Sequence, residues 1–300
     1  LEDVKSADGE SEDYYKKDEL VATITTDDTC IAKLSGLPLG KYYVKEKATV
    51  DGFVLDNEAR EIDLTYRDQD TAEVTYSADW QNNRQKAEVE VVKKEKDSDR
   101  VLEGAVFALC AKNDITGADG KVILEADTVI EELATDKEGK LTFTADLPIG
   151  FEYYIKETSP APGFATTDET QEFTFEYEGA EKEKVFYSFT FEDEPTVIEI
   201  TKTSLTDGKE LEGAKLQVTD ESGKVVDSWI SGKEAHIIKE LVVGQKYTLT
   251  ETKPADGFVT AESITFTVED TVEAQKIEMK DDVTKVEISK TDISGKELPG

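Results

Sequence analysis

The sequence predicts an all-β protein built from β-sandwich domains in tandem. Three observations lead to this fold class. Short motifs recur in a fixed order, apolar and polar residues alternate between turn residues, and no segment carries a sustained helical period. A chain of 300 residues holds two to four domains of ordinary size, so its length is compatible with a repeat architecture.

The composition is acidic and polar. The chain has 68 Asp and Glu against 35 Lys and Arg, a net charge of −33, which excludes nucleic acid and anionic lipid as partners. Hydrophobic residues make up 37%, enough for several small cores. No run of eighteen apolar residues occurs, so we expect no membrane insertion in this segment.

Three motifs define the repeats. An opening motif ends in a Lys and precedes a Leu-Glu-Gly or Leu-Pro-Gly; it occurs as Val89-Glu-Val-Val-Lys93, Ile198-Glu-Ile-Thr-Lys202 and Val286-Glu-Ile-Ser-Lys290. A middle motif runs from a Tyr to a Glu, with a Gly-Phe pair six residues on; its three Glu are Glu46, Glu157 and Glu251. A closing motif ends in Asn or Asp; it occurs as Trp80-Gln-Asn82, Phe191-Glu-Asp193 and Met279-Lys-Asp281.

These motifs divide the chain into four parts. Residues 87–195 and 196–283 are predicted to be complete repeats. Residues 1–86 are interpreted as a truncated repeat that lacks its first strand, and residues 284–300 as the opening strand of a truncated fourth. The second repeat is the longer because of an insertion around Asn113–Asp127, where Gly117 and Gly120 predict a hairpin or loop. The repeats follow one another almost without linkers, which favours a monomeric rod.

Alternation between turn residues places seven short strands in the third repeat. They are expected near 197–203, 214–219, 224–230, 235–240, 246–252, 263–269 and 275–281. Seven short strands in fewer than 90 residues indicate an immunoglobulin-like β-sandwich.

The motif acids and lysines are predicted to face the core. Residues two apart on a strand share a face, so Lys202 lies on the side of Ile198 and Ile200. The same parity turns inward Lys93, Glu157, Asp193, Glu251, Asp281, Glu46 and Asn82. Each complete repeat therefore points a Lys, a Glu and an Asp into its apolar face.

Buried charges are expensive, and a buried ion pair often fails to offset its desolvation. Condensation would remove them: a neutral amine attacks a side-chain carbonyl polarised by a protonated Glu, and water or ammonia leaves. Closing a loop of this length with an amide stabilises by roughly 4–5 kcal/mol on the chain-entropy estimate. A buried salt bridge and solvated side chains at strand ends are the two alternative interpretations.

Other candidate sites carry weaker signals. Cys30 and Cys110 fall in different repeats, so no disulfide is expected; Cys30 lies in a probable turn and Cys110 in a strand. His236 is the single histidine and is interpreted as a strand residue. The stretch Asn113-Asp114…Asp119-Gly120 lacks the ligand spacing of an EF-hand. We expect no cofactor and no metal.

The motifs resemble the prealbumin-like SpaA or collagen-adhesin B-type repeats of Gram-positive surface proteins. The resemblance covers nearly the whole chain, and its residues are Lys202…Leu211-Glu-Gly-Ala214, Glu157-Thr-Ser-Pro-Ala-Pro-Gly-Phe164, Tyr247…Glu251-Thr-Lys-Pro-Ala-Asp-Gly-Phe258 and Met279-Lys-Asp281. It implies tandem prealbumin-like sandwiches. It also implies a Lys93–Asp193 isopeptide bond assisted by Glu157, and a Lys202–Asp281 bond assisted by Glu251.

The resemblance further assigns Glu46 and Asn82 to the truncated first repeat and Lys290 to the truncated fourth. Many family members carry Asn where the complete repeats carry Asp. Lys94 and Asp282 are neighbouring alternatives, and strand parity favours Lys93 and Asp281. Neither a Tyr-Pro-Lys pilin motif nor a Leu-Pro-x-Thr-Gly sorting signal is present.

The predicted function is a structural stalk segment of a secreted, cell-surface or wall-attached protein that catalyses only its own cross-linking. One alternative is an adhesin module whose loops, or a distal domain, bind a host extracellular-matrix protein or glycan; the insertion at Asn113–Asp127 is the candidate loop. The other is an enzyme that acts on an external substrate.

Overall fold

The computed structural model describes residues 2–6 and 13–298, which form eighteen β-strands and no helix. Two compact units are present: Leu1–Ala87 with Glu176–Val185, and Glu88–Phe175 with Phe186–Gly300. The part of the chain that the structure describes contains no helix able to cross a membrane.

In the first unit, strand β1 (Lys41–Val44) pairs antiparallel with β2 (Arg60–Asp63), with Tyr42 opposite Ile62. The predicted closing segment, Trp80 to Asn82, is not in a strand. In the complete repeats the closing strand pairs with the opening strand, and residues 1–86 contain no opening motif.

The second repeat has nine strands. They are β3 (Lys86–Glu95), β4 (Val106–Ala111), β5 (Ile115–Thr116), β6 (Val122–Leu124), β7 (Val129–Ala134), β8 (Lys140–Phe143), β9 (Phe151–Ser159), β10 (Thr170–Phe175) and β11 (Lys184–Asp193). Strands β11-β3-β8 form one sheet and β10-β9-β4-β7 another. The insertion forms the predicted hairpin, β5–β6, in which the Asp114 carboxylate accepts the Ala126 N–H at 2.8 Å.

The third repeat has the seven strands predicted for it. They are β12 (Val197–Ser204), β13 (Lys215–Asp220), β14 (Val225–Ile230), β15 (His236–Lys239), β16 (Lys246–Lys253), β17 (Ile264–Thr267) and β18 (Gln275–Asp281). The sheets are β15-β12-β18 and β14-β13-β16-β17, the same order as in the second repeat. Their facing sides share one apolar core that includes Ile200, Val218, Leu249 and Met279. This is the predicted all-β sandwich architecture.

The opening strand predicted at 286–290 is not formed, and Val286 and Ile288 are largely exposed. A strand with no neighbouring sheet to pair with gains neither hydrogen bonds nor burial. The local turn of the motif is nevertheless present, because the Leu298 N–H donates to the Lys290 carbonyl at 2.8 Å. The last two residues of the Leu298-Pro-Gly300 motif lie outside the described residues.

Candidate cross-link sites

In the second repeat, the structure brings Lys93, Glu157 and Asp193 together between the two sheets. Lys93 on β3 and Asp193 on β11 come from neighbouring strands of one sheet, and Glu157 on β9 comes from the facing sheet. The Lys93 Nζ lies 3.0 Å from Glu157 Oε1 and donates a hydrogen bond to Asp193 Oδ1. All three side chains are fully buried.

The third repeat has the same arrangement. The Lys202 Nζ on β12 lies 3.0 Å from Glu251 Oε1 on β16 and donates to Asp281 Oδ1 on β18. The three side chains are at most 2% exposed. Two independent strand sets thus place the same three residue types at the same positions.

Strand register explains why the Lys meets the Asp. Strands β12 and β18 run parallel, with Lys202 opposite Met279 and Ser204 opposite Asp281. Because residues two apart share a face, Lys202 and Asp281 are diagonal neighbours on the inner side of the sheet. Asp282 points outward instead, and its carboxylate pairs with Lys285 at 3.0 Å. This matches the parity that favoured Asp281.

A β-bulge lies beside each Glu. Glu157 is opposite Phe107, where the β4–β9 register shifts between Val106 and Phe107. Glu251 is opposite Leu216, and the β13–β16 register shifts between Lys215 and Leu216. A bulge re-aims the side chains next to it, and both bulges occur where the Glu must reach across the sandwich.

Each Glu is also held by a backbone N–H ten residues further along the chain. Glu157 Oε2 accepts from Thr167 at 2.9 Å, and Glu251 Oε2 accepts from Ala261 at 2.8 Å. This contact leaves Oε1 facing the Lys. Sequence reasoning missed these donors, although their constant spacing from each Glu is a signal that could have found them.

The surroundings of the second-repeat triad are apolar. The Lys93 Nζ lies 5.4 Å from the centroid of the Phe107 ring. The Phe107 ring packs on that of Phe191, with 4.9 Å between the two centroids. Burial raises the pKa of Glu157 to about 7, against the lowering effect of Lys93. Burial likewise raises the pKa of Asp193 and of Asp281, opposed by the lysine that each contacts. These carboxyl groups therefore hold a proton more readily than they would in water.

One oxygen of each acid lacks a hydrogen bond. Among the described side chains, the buried atoms without a hydrogen-bond partner include Asp193 Oδ2 and Asp281 Oδ2. Glu157 Oε1 and Glu251 Oε1 also lack a hydrogen bond, although each lies 3.0 Å from the lysine Nζ. A buried carboxylate with an unsatisfied oxygen carries much of its desolvation penalty uncompensated. An ionised triad is thus poorly accommodated at both sites.

The residues assigned to the incomplete repeats are placed differently. Asn82 Nδ2 donates to Glu46 Oε2 at 2.6 Å and to the Val54 carbonyl at 2.9 Å, so the structure brings Glu46 and Asn82 together. The Glu46 carboxylate also accepts the Asp56 N–H at 2.7 Å, again ten residues on. Lys290 is exposed, lies outside any strand and joins no such site.

The other candidates remain apart from these sites. Both cysteines are free, with Cys30 exposed and Cys110 buried in β4. His236 opens β15, stacks on Trp229 and contacts Asp227 Oδ2 at 2.8 Å. No group of three or more potential metal ligands is found among the described residues.

The fold defines a class of protein, the all-β chains made of tandem β-sandwich repeats. The family model described as SpaA, prealbumin-like fold domain, matches residues 6–80, 87–188 and 196–283, and the chain belongs to this family. A comparison with curated protein sequences found no match.

Similar solved structures include the Bacillus anthracis TIE protein, which is 29% identical with a TM-score of 0.51. The match covers 86% of this chain but only 45% of the TIE protein. A Streptococcal ancillary pilin is 21% identical over 82% of this chain and 76% of its own, with a TM-score of 0.32. The shaft pilin SpaA from Lactobacillus rhamnosus GG is 15% identical over 68% of this chain and 100% of its own, with a TM-score of 0.29.

Proposed function

We propose that this chain is a structural stalk segment of a bacterial surface protein, and that each complete repeat closes itself with an intramolecular amide. The bonds join Lys93 to Asp193 and Lys202 to Asp281. One observation carries the proposal: in two repeats, a buried lysine amine contacts both a Glu from the facing sheet and an Asp from the neighbouring strand.

The chemistry balances within each triad. The lysine ammonium passes a proton to the Asp carboxylate that it contacts. The resulting neutral amine then attacks Cγ of the protonated Asp. A new N–C bond forms, a C–O bond breaks, and one water leaves. Glu157 or Glu251 donates a hydrogen bond to the carbonyl oxygen, takes the proton from the attacking nitrogen and returns it to the departing hydroxyl. No external reactant is required.

An amide resolves the electrostatic problem that an ion pair leaves. Condensation replaces two charges by neutral groups and removes one of the two oxygens of each Asp. The raised pKa of Asp193 and of Asp281 favours the protonated acid that the reaction consumes. A neutral product in an apolar site avoids the desolvation penalty of the separated ions.

The position of each bond suits a chain under tension. The bond would join the first strand of a repeat to its last, across 100 residues in the second repeat and 79 in the third. A force entering at β12 and leaving after β18 would pass through the Lys202–Asp281 amide, so residues 203–280 would bear almost none of it. This is the property that a stalk needs.

Peptide mapping tests the proposal. After proteolysis, tandem mass spectrometry should identify one branched peptide joining the Lys93 and Asp193 segments and another joining Lys202 and Asp281. Glu262→Gln changes an exposed Glu near Ala261 and should leave both branched peptides in place. Recovery of only linear peptides from folded protein would contradict the proposal.

Family membership supports a secreted location at the cell surface or wall.

A second candidate function, adhesion to a host matrix protein or glycan, draws support from the β5–β6 hairpin. Its Val122 and Ile123 are 50% and 70% exposed. An adhesin predicts that deleting residues 113–127 abolishes adhesion and leaves stability intact, whereas a plain stalk predicts no loss of binding.

A further inference from the structure

The junction between the second and third repeats is built on Gly163, the glycine of the Gly-Phe pair. Its carbonyl accepts the Thr196 N–H at 3.0 Å and the Thr196 hydroxyl at 3.3 Å. The same hydroxyl donates to the Leu241 carbonyl at 2.7 Å, and Glu240 N–H donates to the Thr196 carbonyl at 3.1 Å. Thr196 is 1% exposed, so the first residue of the third repeat is buried at the junction.

Gly163 also permits a close approach. It has a φ of +90°, and a Cβ at this position would lie 2.8 Å from the Glu240 carbonyl oxygen and 3.0 Å from Glu240 Cα. Those are backbone atoms of the third repeat, so a side chain here would push the repeats apart. Gly257, at the same place in the third repeat, has a φ of +89° and nothing within 4 Å of such a Cβ.

Two side-chain clamps flank this contact. Arg100 donates to both carboxylate oxygens of Glu240, at 2.7 and 2.9 Å, while its guanidinium lies 5.3 Å from the centroid of the Phe164 ring. On the other side, the Thr166 N–H and hydroxyl donate to the two oxygens of Asp270 at 2.8 and 2.7 Å. Both clamps are bidentate, a geometry that fixes orientation as well as distance.

The first compact unit repeats the pattern around its own Gly-Phe pair. The Gln85 N–H donates to the Gly52 carbonyl at 2.9 Å, as Thr196 does to Gly163. Leu55, three residues after Gly52, donates its N–H to the Ala180 carbonyl at 2.9 Å. Thr166, three residues after Gly163, likewise donates its N–H to Asp270. Ala180 and Asp270 both lie in the loop before the closing strand of a repeat.

From these contacts we infer that the Gly-Phe segment of a repeat is a docking surface for the loops of the repeat that follows it. The surface holds residues 87–195 and 196–283 as one stiff body, independently of the internal amides. Burial agrees with this role: Ala165 is 2% exposed at the junction, whereas its counterpart Val259 in the third repeat is 49% exposed.

Electron-spin distance measurements on the full chain test the inference. Spin labels are attached to cysteines replacing Lys137 and Ser222, which are exposed turn residues of the two repeats, in a Cys30→Ser, Cys110→Ala background. The parent should give a single narrow distance distribution. Gly163→Ala should lose it and give a broad one, and Gly257→Ala should keep it, because both changes strain a left-handed glycine but only the first meets Glu240.

An Arg100→Ala, Asp270→Ala double variant adds no backbone strain and should also broaden the distribution. A narrow distribution in both Gly163→Ala and the double variant would overturn the inference, as would equal broadening in Gly163→Ala and Gly257→Ala. Intact mass separates this outcome from failure of the cross-links, since the junction variants should still lack two waters.

Discussion

Replacing Glu251 by Gln should abolish the Lys202–Asp281 bond while leaving the third repeat folded. Glutamine has nearly the same size and shape as glutamate, and its side-chain carbonyl can still accept the Ala261 N–H now bound at 2.8 Å. It cannot take up and return the protons that the condensation requires. The variant therefore removes the covalent bond with little change in packing.

The expected loss of stability follows from the length of the closed loop. Lys202 and Asp281 are 79 residues apart, for which the chain-entropy relation gives about 4.5 kcal/mol. For a domain of this size, each kcal/mol corresponds to about 4–8 °C in Tm, so the third repeat should unfold about 20–35 °C lower.

Differential scanning calorimetry of wild type, Glu251→Gln and the exposed control Glu262→Gln measures this shift. The control should match wild type. A thiol reductant should change none of the three, because neither Cys30 nor Cys110 forms a disulfide. If Glu251→Gln unfolded within a few degrees of wild type, the reasoning that a covalent loop stabilises this repeat would be refuted.

Two further predictions concern the acids. Burial is the main cause that raises the pKa of Glu157, to about 7 in the uncondensed triad against its ordinary value of 4.5, and it persists once the amide has formed, so the folded state binds more protons over this range. The unfolding free energy of the second repeat should therefore fall as pH rises from about 4.5 to 7. Urea unfolding at several pH values measures this dependence, and Glu157→Gln should flatten it. An unfolding free energy that rises with pH would contradict the prediction. Asp193→Asn and Asp281→Asn should still cross-link but expel ammonia instead of water, and mass spectrometry distinguishes the two losses.

Much of the fold could be predicted because each strand leaves its own local pattern of alternating apolar and polar residues. Alternation placed all seven strands of the third repeat, since each strand buries one face of side chains against the core. Parity also selected Asp281 over Asp282, because neighbouring residues on a strand point to opposite faces and only one can lie between the sheets.

The features that could not be predicted from the sequence depend on contacts between distant segments. The Gly-Phe pair recurs in the sequence, but the close approach of Glu240 to Gly163 depends on how two distant segments pack. The backbone donors Thr167 and Ala261 lie in loops, where no alternation of apolar and polar residues indicates which way a backbone N–H points. The strand expected at 286–290 fails to form because strand propensity alone, without a sheet to join, does not stabilise an extended segment.

The most direct measurement is the intact mass of the folded 300-residue chain. Amides at Lys93–Asp193 and Lys202–Asp281 predict a mass two waters below that of the plain sequence. Glu157→Ala and Glu251→Ala should each restore one water, and the double variant both. A folded wild-type chain with the full mass of its sequence would contradict the covalent stalk and leave two buried salt bridges in its place.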